Sequence, residues 1–459
     1  LFFAIGFLIY SHTFNSPFVF DDELRILENY DIRLKNLTLA SLLKAAFGKR
    51  TGRTRPIGSI SFALNYYFHQ YELAGYHIIN IIIHIITGIL LWLILKRTLK
   101  LKSMRSEFEH HEWIALFAAL LWLVNPVQTQ SVTYIVQRYT SMAAMFFLFS
   151  FLFYLNGRLT ALKGIRWAWF SVAALAWLLA LGCKENTAIL PFIIFLYEWY
   201  FFQDLSKKWL KKQLKFVAAI VVAVGIIAWI YLGMDPWEKL KSLRDFSEGQ
   251  FTLGQRLLTQ TRVVIYYLSL IIVPHPSRLN LDYDFPLSHS LTDPFTTLLS
   301  SIGIIGLIIL AVLLAKKQRL LSFCIVWFLG NLVIESSVIP LAIIFEHRLY
   351  LPSMLVGLIP AVLLYRYIQP KWLIAAIGCA LIIIYAYWTF ERNYVWRDHL
   401  TLWADCVKKS PNKARPYAPL GAAQKKLNML DEAFETFRKA LELNPDFVEA
   451  LHNMGVMLE

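Results

Sequence analysis

The sequence predicts an all-α protein in which a polytopic membrane helical bundle of about 11 spans precedes a soluble α-solenoid. The 459 residues are 57% hydrophobic and only 17% charged, which is less charge than a soluble chain of this length carries. Apolar stretches of membrane-spanning length recur along most of the chain, and a helical repeat appears only near its end. We therefore assign 1–392 to a membrane domain and 393–459 to a repeat domain, which we expect to continue beyond this chain.

Basic residues cluster in five short loops between the apolar stretches. These loops contain Lys96, Arg158, Lys207, Lys316 and Arg366. The positive-inside rule places them in the cytoplasm, so the net charge of +14 indicates membrane orientation and no nucleic-acid partner. The predicted spans are 1–14, 76–96, 112–124, 139–156, 166–183, 186–202, 215–233, 294–315, 321–340, 350–368 and 371–390.

One apolar segment, residues 257–273, contains Gln260 and Arg262 and is interpreted as re-entrant or interfacial. Counting it as a span would move the basic loop at Lys316 to the outer side. With this interpretation the N-terminus is cytoplasmic, and the candidate motifs fall at or near the outer side. The segments predicted to face outward are 15–75, 125–138, 184–185, 234–293, 341–349 and the C-terminal tail.

The tail repeats after about 34 residues, which is the tetratricopeptide period. Gly421 recurs as Gly455 and Pro411 as Pro445, while Ala433 is a small residue suited to two closely crossing helices. A single repeat cannot bury its apolar face alone, so it needs neighbours. Arrays of this kind present concave surfaces to extended peptides or proteins, and we expect the tail to bind a protein acceptor or partner.

Asp21 and Asp22 are the candidate catalytic residues. They follow the first span at the rim of the membrane, where carboxylates are costly to keep unless a cation or a reaction uses them. The alternative is a helix N-cap or a loop pair facing water, because two adjacent aspartates are a weak signal in themselves.

The second span carries a polar stripe on one helical face. Tyr76, His77, Asn80 and His84 follow the spacing that brings side chains together on a helix. Interhelical hydrogen bonds are favoured for His84, which lies deeper, whereas a ligand role and a structural role stay equally open for His77 and Asn80. A metal site is not expected, because no second ligand cluster accompanies the histidines.

Other outer loops carry cationic and amide side chains that suit a phosphate or a ligand surface. Arg55 is a candidate phosphate ligand or part of a solvated basic patch. Arg138 begins a span near Gln128 and either binds a ligand or snorkels to the interface. Lys184 either contacts a lipid phosphate or pairs with Glu185 in a tight turn.

The segment just before the next-to-last span is unusually polar for a membrane rim. Glu346, Arg348 and Tyr350 occur within five residues. The sequence favours a functional role slightly over a salt-bridged structural corner. No P-loop, GxGxxG, nucleophile elbow or HExxH motif accompanies them, so a substrate carried by the membrane fits better than a soluble nucleotide.

The order of these segments along the chain resembles that of the GT-C fold glycosyltransferases. The resemblance is closer to the transmembrane and tetratricopeptide-repeat O-mannosyltransferase-like family, in a bacterial form. The resemblance covers nearly the whole chain, although no single motif is decisive. Asn125 departs from the family's usual His-Pro, which puts an imidazole role there in doubt. The matching segments are FVFDD at 18–22, 55–56, 61–66, GYHIIN at 75–80 with His84, NPVQTQSVTY at 125–134, CKE at 183–185, EHRLYLPS at 346–353 and the repeat tail.

The resemblance implies transfer of a sugar from a polyprenyl-phosphate donor to a protein Ser or Thr hydroxyl, with inversion, at the periplasmic side of a bacterial inner membrane. One aspartate of the acidic pair is implied to be the catalytic base, and which one stays open. We expect a lipid-linked sugar donor and no tightly bound cofactor; a divalent metal ion is not expected, and a requirement for one stays open. The expected donor or phosphate ligands are Arg55, His77, Arg138, Lys184, Glu346, Arg348 and Tyr350, and the expected acceptor or supporting residues are Asn80, Gln128 and Glu185.

A different class of function stays open at this point. The alternative is a non-catalytic membrane scaffold or transporter whose repeats recruit a partner protein. A transporter usually has inverted repeats and broken helices near the membrane midplane, and no such internal symmetry is visible in the sequence.

Overall fold

The computed structural model describes residues 1–48, 55–104, 111–215, 218, 251–339 and 341–458. The structure is 75% helical, and no strand occurs in these ranges, which confirms the all-α class. Its α-helices are α1 (Phe2–Tyr10), α2 (Leu39–Phe47), α3 (Pro56–His69), α4 (Leu73–Leu99), α5 (His111–Leu123), α6 (Thr129–Val132), α7 (Arg138–Leu159), α8 (Lys163–Leu181), α9 (Leu190–Tyr197), α10 (Leu253–Ile272), α11 (Thr296–Leu314), α12 (Arg319–Leu332), α13 (Leu358–Tyr367), α14 (Lys371–Val395), α15 (His399–Lys409), α16 (Tyr417–Lys426), α17 (Leu430–Leu443) and α18 (Val448–Leu458). Short 3₁₀ or π turns occupy Glu23–Leu27, Tyr30–Ile32, Pro126–Gln128, Ile135–Gln137, Glu185–Ile189, Glu198–Phe202, Pro276–Arg278, Glu346–Leu349 and Pro352–Leu355.

Several of these helices are long and apolar enough to cross a membrane. Within the described residues there are five, or six if the bent pair of α5 and 126–132 counts as one span. The five are Leu73–Leu99, Ile135–Leu159, Lys163–Leu181, Thr296–Lys317 and Lys371–Val395. The span predicted at 215–233 lies, apart from residues 215 and 218, outside the described ranges, and the total of about 11 spans stays a prediction.

Burial separates the central helices of the bundle from those at its surface. The most apolar window of α4 is 61% buried, because this helix packs against α1, α5 and α7. The corresponding windows in α11 and α14 are only 6% and 11% buried, and they expose isoleucine and leucine side chains such as Ile305 and Ile383. Apolar surface of this extent on a helix is expected where lipid covers it.

The loops gather at two opposite ends of the bundle. At the basic end, Lys96 pairs with Glu112 at 2.8 Å and Arg158 with Glu198 at 2.7 Å. At the other end, called the Asp21 end below, loops from 15–22, 134–140, 184–186, 279–283 and 335–349 contact one another. Described parts of the segments that the sequence predicts to share the outer side therefore lie together.

Helix α10 corresponds to the segment interpreted as re-entrant or interfacial. Near its start, Arg256 donates to the carbonyl of Glu335, and at its end the carbonyl of Ile271 accepts from Asn125. Glu335 lies in a loop of the Asp21 end, and Asn125 begins the segment 125–138 that the sequence predicts to face the same side. Helix α10 is not among the described helices that are long and apolar enough to cross a membrane, and its re-entrant or interfacial placement stays a prediction.

The first helix of the tail packs on the membrane domain rather than standing apart from it. Trp403 of α15 is buried in the same apolar cluster as Val19 and Ile26 of the first outer loop. Helices α16 and α17 then form a close pair, in which a Cβ at Gly421 would lie 2.7 Å from the ring of Phe437. The domain boundary at 392 and the continuing solenoid stay predictions.

Candidate functional site

The two adjacent aspartates have opposite environments. Phe20, directly before them, has a left-handed φ of 53°, which is uncommon for a bulky residue and turns the chain sharply. The turn leaves Asp21 exposed and Asp22 fully buried. Strained backbone of this kind persists where the surrounding structure fixes it, and it occurs often at functional sites.

Asp22 connects the first outer loop to the bundle through hydrogen bonds. Its Oδ2 accepts the backbone N–H of Val19 at 2.9 Å, and its Oδ1 accepts that of Val136 at 2.7 Å. Burial raises the pKa of Asp22 well above its usual range, and these two hydrogen bonds oppose the shift. The carboxyl of Asp22 is therefore engaged with the backbone and is closed to solvent.

Asp21 is held at the surface by its backbone. Its N–H donates to Oη of the buried Tyr134 at 2.8 Å, which fixes the position of the residue while its side chain stays accessible. Of the two carboxylates, the exposed one is able to meet a substrate without rearrangement. The difference in exposure therefore distinguishes Asp21 from Asp22, which the sequence treats alike as candidate catalytic residues.

Residues 126–140, called the connecting segment below, run from the acidic pair to a group of cations. Oγ1 of Thr140 accepts from Nζ of Lys184 at 3.1 Å. Oε1 of Gln130 accepts from the backbone N–H of His347 at 2.7 Å. One short segment thus contacts Asp22, Lys184 and the Glu346–Leu349 turn.

Arg55, Lys184, His347 and Arg348 form a group that we call the cationic cluster. Lys184 makes an ion pair with Glu335 at 2.8 Å, and both side chains are nearly buried, with exposures of 8% and 5%. Arg55 makes an ion pair with Glu185 at 3.0 Å.

The cationic cluster has a surplus of positive charge. It contains three basic side chains, Arg55, Lys184 and Arg348, and two carboxylates, those of Glu185 and Glu335, which pair with Arg55 and Lys184. Burial lowers the pKa of Lys184, while Glu335 acts in the opposite direction. A site with excess positive charge that runs from the exposed Arg55–Glu185 pair to the nearly buried Lys184–Glu335 pair is suited to an anion such as a phosphate.

The hydrogen bonds of His347 define its tautomer. Oε1 of Gln130 accepts from the backbone N–H of His347, so the same oxygen also accepts from Nδ1–H, at 3.1 Å. Burial, together with Lys184, Arg348 and Arg55, lowers the pKa of His347 well below its usual range. A neutral imidazole with its proton on Nδ1 leaves Nε2 as an acceptor.

Arg138 and Asn80 are buried and bonded within the protein. The guanidinium of Arg138 donates to Oδ1 of Asn80 at 2.7 Å, to Oδ1 of Asn65 at 2.8 Å and to the carbonyl of Tyr76 at 3.0 Å. Asn80 in turn donates to the carbonyls of Val132 and Ile135. These hydrogen bonds join the connecting segment, to which Arg138 belongs, to α3 and α4. Arg138 has no exposed surface.

The other polar residues of the second span also lie inside the bundle. Nε2 of His77 donates to the carbonyl of Ser16 at 2.9 Å, and its Nδ1 is buried without a hydrogen-bond partner among the described residues. His84 bonds Oη of Tyr350 at 2.8 Å and the carbonyl of Leu123 at 2.9 Å. These contacts match the interhelical alternative for His84 and make Tyr350 its buried partner.

Gln128 and Glu346 are buried with unused acceptor atoms. Nε2 of Gln128 donates to Oγ of Ser353 at 3.0 Å, while its Oε1 has no partner among the described residues. Glu346 accepts from Oη of Tyr283 at 2.7 Å, and its Oε2 is likewise without a described partner. Burial raises the pKa of Glu346, against the nearby charge of Arg392.

Two charged groups at this end, Glu335 and Asp282, are absent from the sequence-based candidates. Asp282 is buried and accepts hydrogen bonds from Lys413 and Arg415 of the tail. The guanidinium of Arg415 also lies over the ring of Phe20, with 5.0 Å to the ring centroid. The only signal in the sequence is the alternating pair of cations at 413 and 415, which identifies no partner. In the part of the chain that the structure describes, no group of three or more His, Cys, Asp or Glu residues is arranged to hold a metal ion.

Comparison with known proteins gives one consistent set of homologues. A Caenorhabditis elegans protein named a protein O-mannosyl-transferase is 23% identical over 466 residues, covering 97% of this chain and 62% of the relative. The Drosophila melanogaster and human proteins named protein O-mannosyl-transferase TMTC3 are 25% and 23% identical, covering 95% of this chain and 54% and 50% of the relatives. This chain thus spans between half and two thirds of the length of these relatives.

The other comparisons return no match. No protein-family model matches the chain. No solved structure matches it either. The homologues and the apolar helices together indicate a multi-pass membrane protein related to proteins named for sugar transfer to protein.

Proposed function

We propose that this chain is an integral-membrane glycosyltransferase that moves a sugar from a polyprenyl-phosphate donor to a Ser or Thr hydroxyl of a protein, with inversion and on the outer side of the membrane. Homology with named protein O-mannosyl-transferases supports the transferase class. The observation that carries the proposal is the unequal acidic pair, with one exposed and one buried carboxyl, at the same end of the bundle as the cationic cluster.

Asp21 is the base in this proposal. Its carboxylate takes the proton from the acceptor hydroxyl as the oxygen attacks the anomeric carbon. The bond between that carbon and the phosphate oxygen breaks, and its electron pair leaves with the polyprenyl phosphate. A phosphate needs no proton to depart, so one carboxylate suffices, unlike the pair that glycoside hydrolysis requires. Direct displacement inverts the anomeric centre.

The cationic cluster serves the leaving phosphate. Its surplus charge lies in a nearly buried position, where an anion gains more from cations than it does in water. Arg348 and Lys184 are the proposed donors to the phosphate. Arg55, which donates to Glu185, adds positive charge to the cluster. Asp22, Arg138 and Asn80 position the loop and the connecting segment, and they are not proposed to touch substrate.

The experiment uses the purified protein in lipid nanodiscs with polyprenyl-phosphate sugars and Ser/Thr-containing peptides. Wild-type protein is expected to transfer a sugar, and Asp21→Asn to lose at least about 1,000-fold in rate, which corresponds to ~4 kcal/mol of transition-state stabilisation. Asp431→Asn, in the exposed first turn of α17, is the matched control. Full transfer by Asp21→Asn refutes Asp21 as the base, and the absence of transfer by wild type with every donor tested favours the scaffold or transporter.

A further inference from the structure

A cleft of about 390 Å³ lies between the membrane domain and the repeat tail. One wall comes from the loop around Asp282 and Phe285, and a second from the segment 342–345. The third wall belongs to the tail and includes Ala414 and Phe447. The volume falls within the range of small-ligand sites, and the cleft exists only because the tail docks beside the outer loops.

The charge of the cleft differs from that of the cationic cluster. Two carboxylates, Asp282 and Asp284, face two cations, Lys413 and Arg415, so the lining is formally neutral. Its other side chains are largely aromatic or aliphatic, with one amide, Asn444. A neutral, aromatic lining with a few hydrogen-bonding groups suits a polypeptide better than a phosphate, which the positive cluster attracts instead.

The cleft lies next to residues that contact the proposed base and the proposed phosphate site. Arg415 lines it and also lies over Phe20, the residue before Asp21. Ile343 lines it too, and its carbonyl accepts from Arg348 of the cationic cluster at 3.2 Å. A chain segment in the cleft would therefore lie beside both the proposed base and the proposed phosphate site.

We infer that this cleft binds an extended segment of the acceptor polypeptide, with one wall supplied by the repeats. The inference rests on the proposed function and adds the position of the acceptor. An extended segment rises about 3.3 Å per residue and presents backbone groups in a repeating pattern, so a short mixed cleft can hold it with little dependence on sequence.

Two cavity-filling variants test the inference from opposite walls. Ala414→Trp acts from the tail and Ala342→Trp from the membrane domain, and neither removes a charged contact. Lys426→Trp, at an exposed position of α16 outside the cleft, is the control. The probe is a fluorescent, unstructured 15-residue peptide with one central Thr, and its Kd is measured without donor. The KM values for peptide and donor, and the rate of sugar release to water, are measured separately.

Both cleft variants are expected to raise the peptide Kd and KM at least about tenfold, while donor KM and sugar release to water stay within about twofold of wild type. Unchanged peptide binding in both variants overturns the inference and leaves the proposed function standing, provided that wild type still transfers sugar. A rise in donor KM alone also overturns it, because the cleft would then hold the donor. Failure of wild type to transfer sugar counts against the proposed function, and the peptide Kd still decides whether the cleft binds polypeptide.

Discussion

Arg415 of the tail donates from Nε to Oδ2 of Asp282, in the loop between α10 and α11, at 2.6 Å. The same carboxylate accepts from Lys413, and its side chain is only 3% exposed. The repeat tail and the membrane domain are thus joined by a nearly buried carboxylate that holds two cations of one short loop. This junction joins two of the three walls of the proposed acceptor cleft.

Replacing Asp282 by Ala is expected to loosen the tail. The change removes a carboxylate that accepts several hydrogen bonds. Lys413 and Arg415, which are 33% and 40% exposed, then lose the partner that they share. We expect a loss of stability of about 1–3 kcal/mol, together with faster proteolysis between 395 and 417. Thermal unfolding in detergent and timed digestion measure the two effects. Asp431→Ala, on the exposed face of α17, should change neither, and an unchanged Asp282→Ala protein would show that the junction does not hold the tail.

The two aspartates are expected to fail in different ways. Asp21→Asn should lose transfer and keep the wild-type melting temperature, because its side chain is exposed. Asp22→Asn places an amide N–H where a carboxylate now accepts two backbone N–H groups, so it should lose about 1–3 kcal/mol of stability as well. Thermal unfolding and sugar transfer are measured on the same preparations. A stable, inactive Asp22→Asn protein would reverse the assigned roles.

The all-α class and several long apolar helices could be predicted from the sequence because apolar length is a local property, whereas the total number of spans stays a prediction. The spans predicted at 76–96 and 371–390 lie within α4 and α14. The sequence also places Lys184, Arg348 and the acidic pair at one end through the rule on basic loops. These inferences need only apolar length and loop charge, which are readable along the chain.

The division of roles within the site depends on contacts between distant residues and cannot be read locally. Asp21 and Asp22 are neighbours of the same type, yet the backbone N–H groups of Val19 and Val136 bind only the carboxyl of Asp22. Arg138 resembles an interfacial arginine in sequence, yet Asn65 and Asn80 enclose its guanidinium. Candidate residues of the same charge therefore differ in accessibility, which the pattern of residue types does not encode.

Breaking the buried ion pair of Lys184 and Glu335 is expected to be costly. Lys184→Met leaves Glu335 nearly buried with a hydrogen bond from Asn186 at 3.3 Å and without its cation. Removing one partner of such a pair costs about 3–5 kcal/mol, whereas replacing both by apolar residues is often neutral. The double variant Lys184→Met/Glu335→Met should therefore recover stability.

Donor binding separates the structural role of this pair from the proposed one. The double variant has the same surplus charge as wild type, and it should keep a raised donor KM because it still lacks the Lys184 ammonium that is proposed to donate to the phosphate. Lys439→Met, which breaks an exposed pair with Glu442, is the control and should leave both thermal unfolding and donor KM unchanged. Recovery of donor KM along with stability would assign Lys184 to structure alone.

His347 is expected to make the folded protein sensitive to acid. Burial and the cations Lys184, Arg348 and Arg55 hold the pKa of His347 well below that of an unfolded histidine, which is about 6.5. As the pH falls below this value, the unfolded chain takes up a proton that the folded chain does not. The stability contributed by neutral His347 is therefore present above pH 6.5 and is lost on acidification, by at most about 1.4 kcal/mol per pH unit.

Melting temperatures measured between pH 7.5 and 5 test this expectation. They should fall less steeply in His347→Asn, whose amide preserves the donor to Gln130, than in wild type or in the exposed control His452→Asn. Equal slopes in all three proteins would mean that the folded and unfolded chains take up the proton of His347 equally, so that its pKa is not lowered by folding.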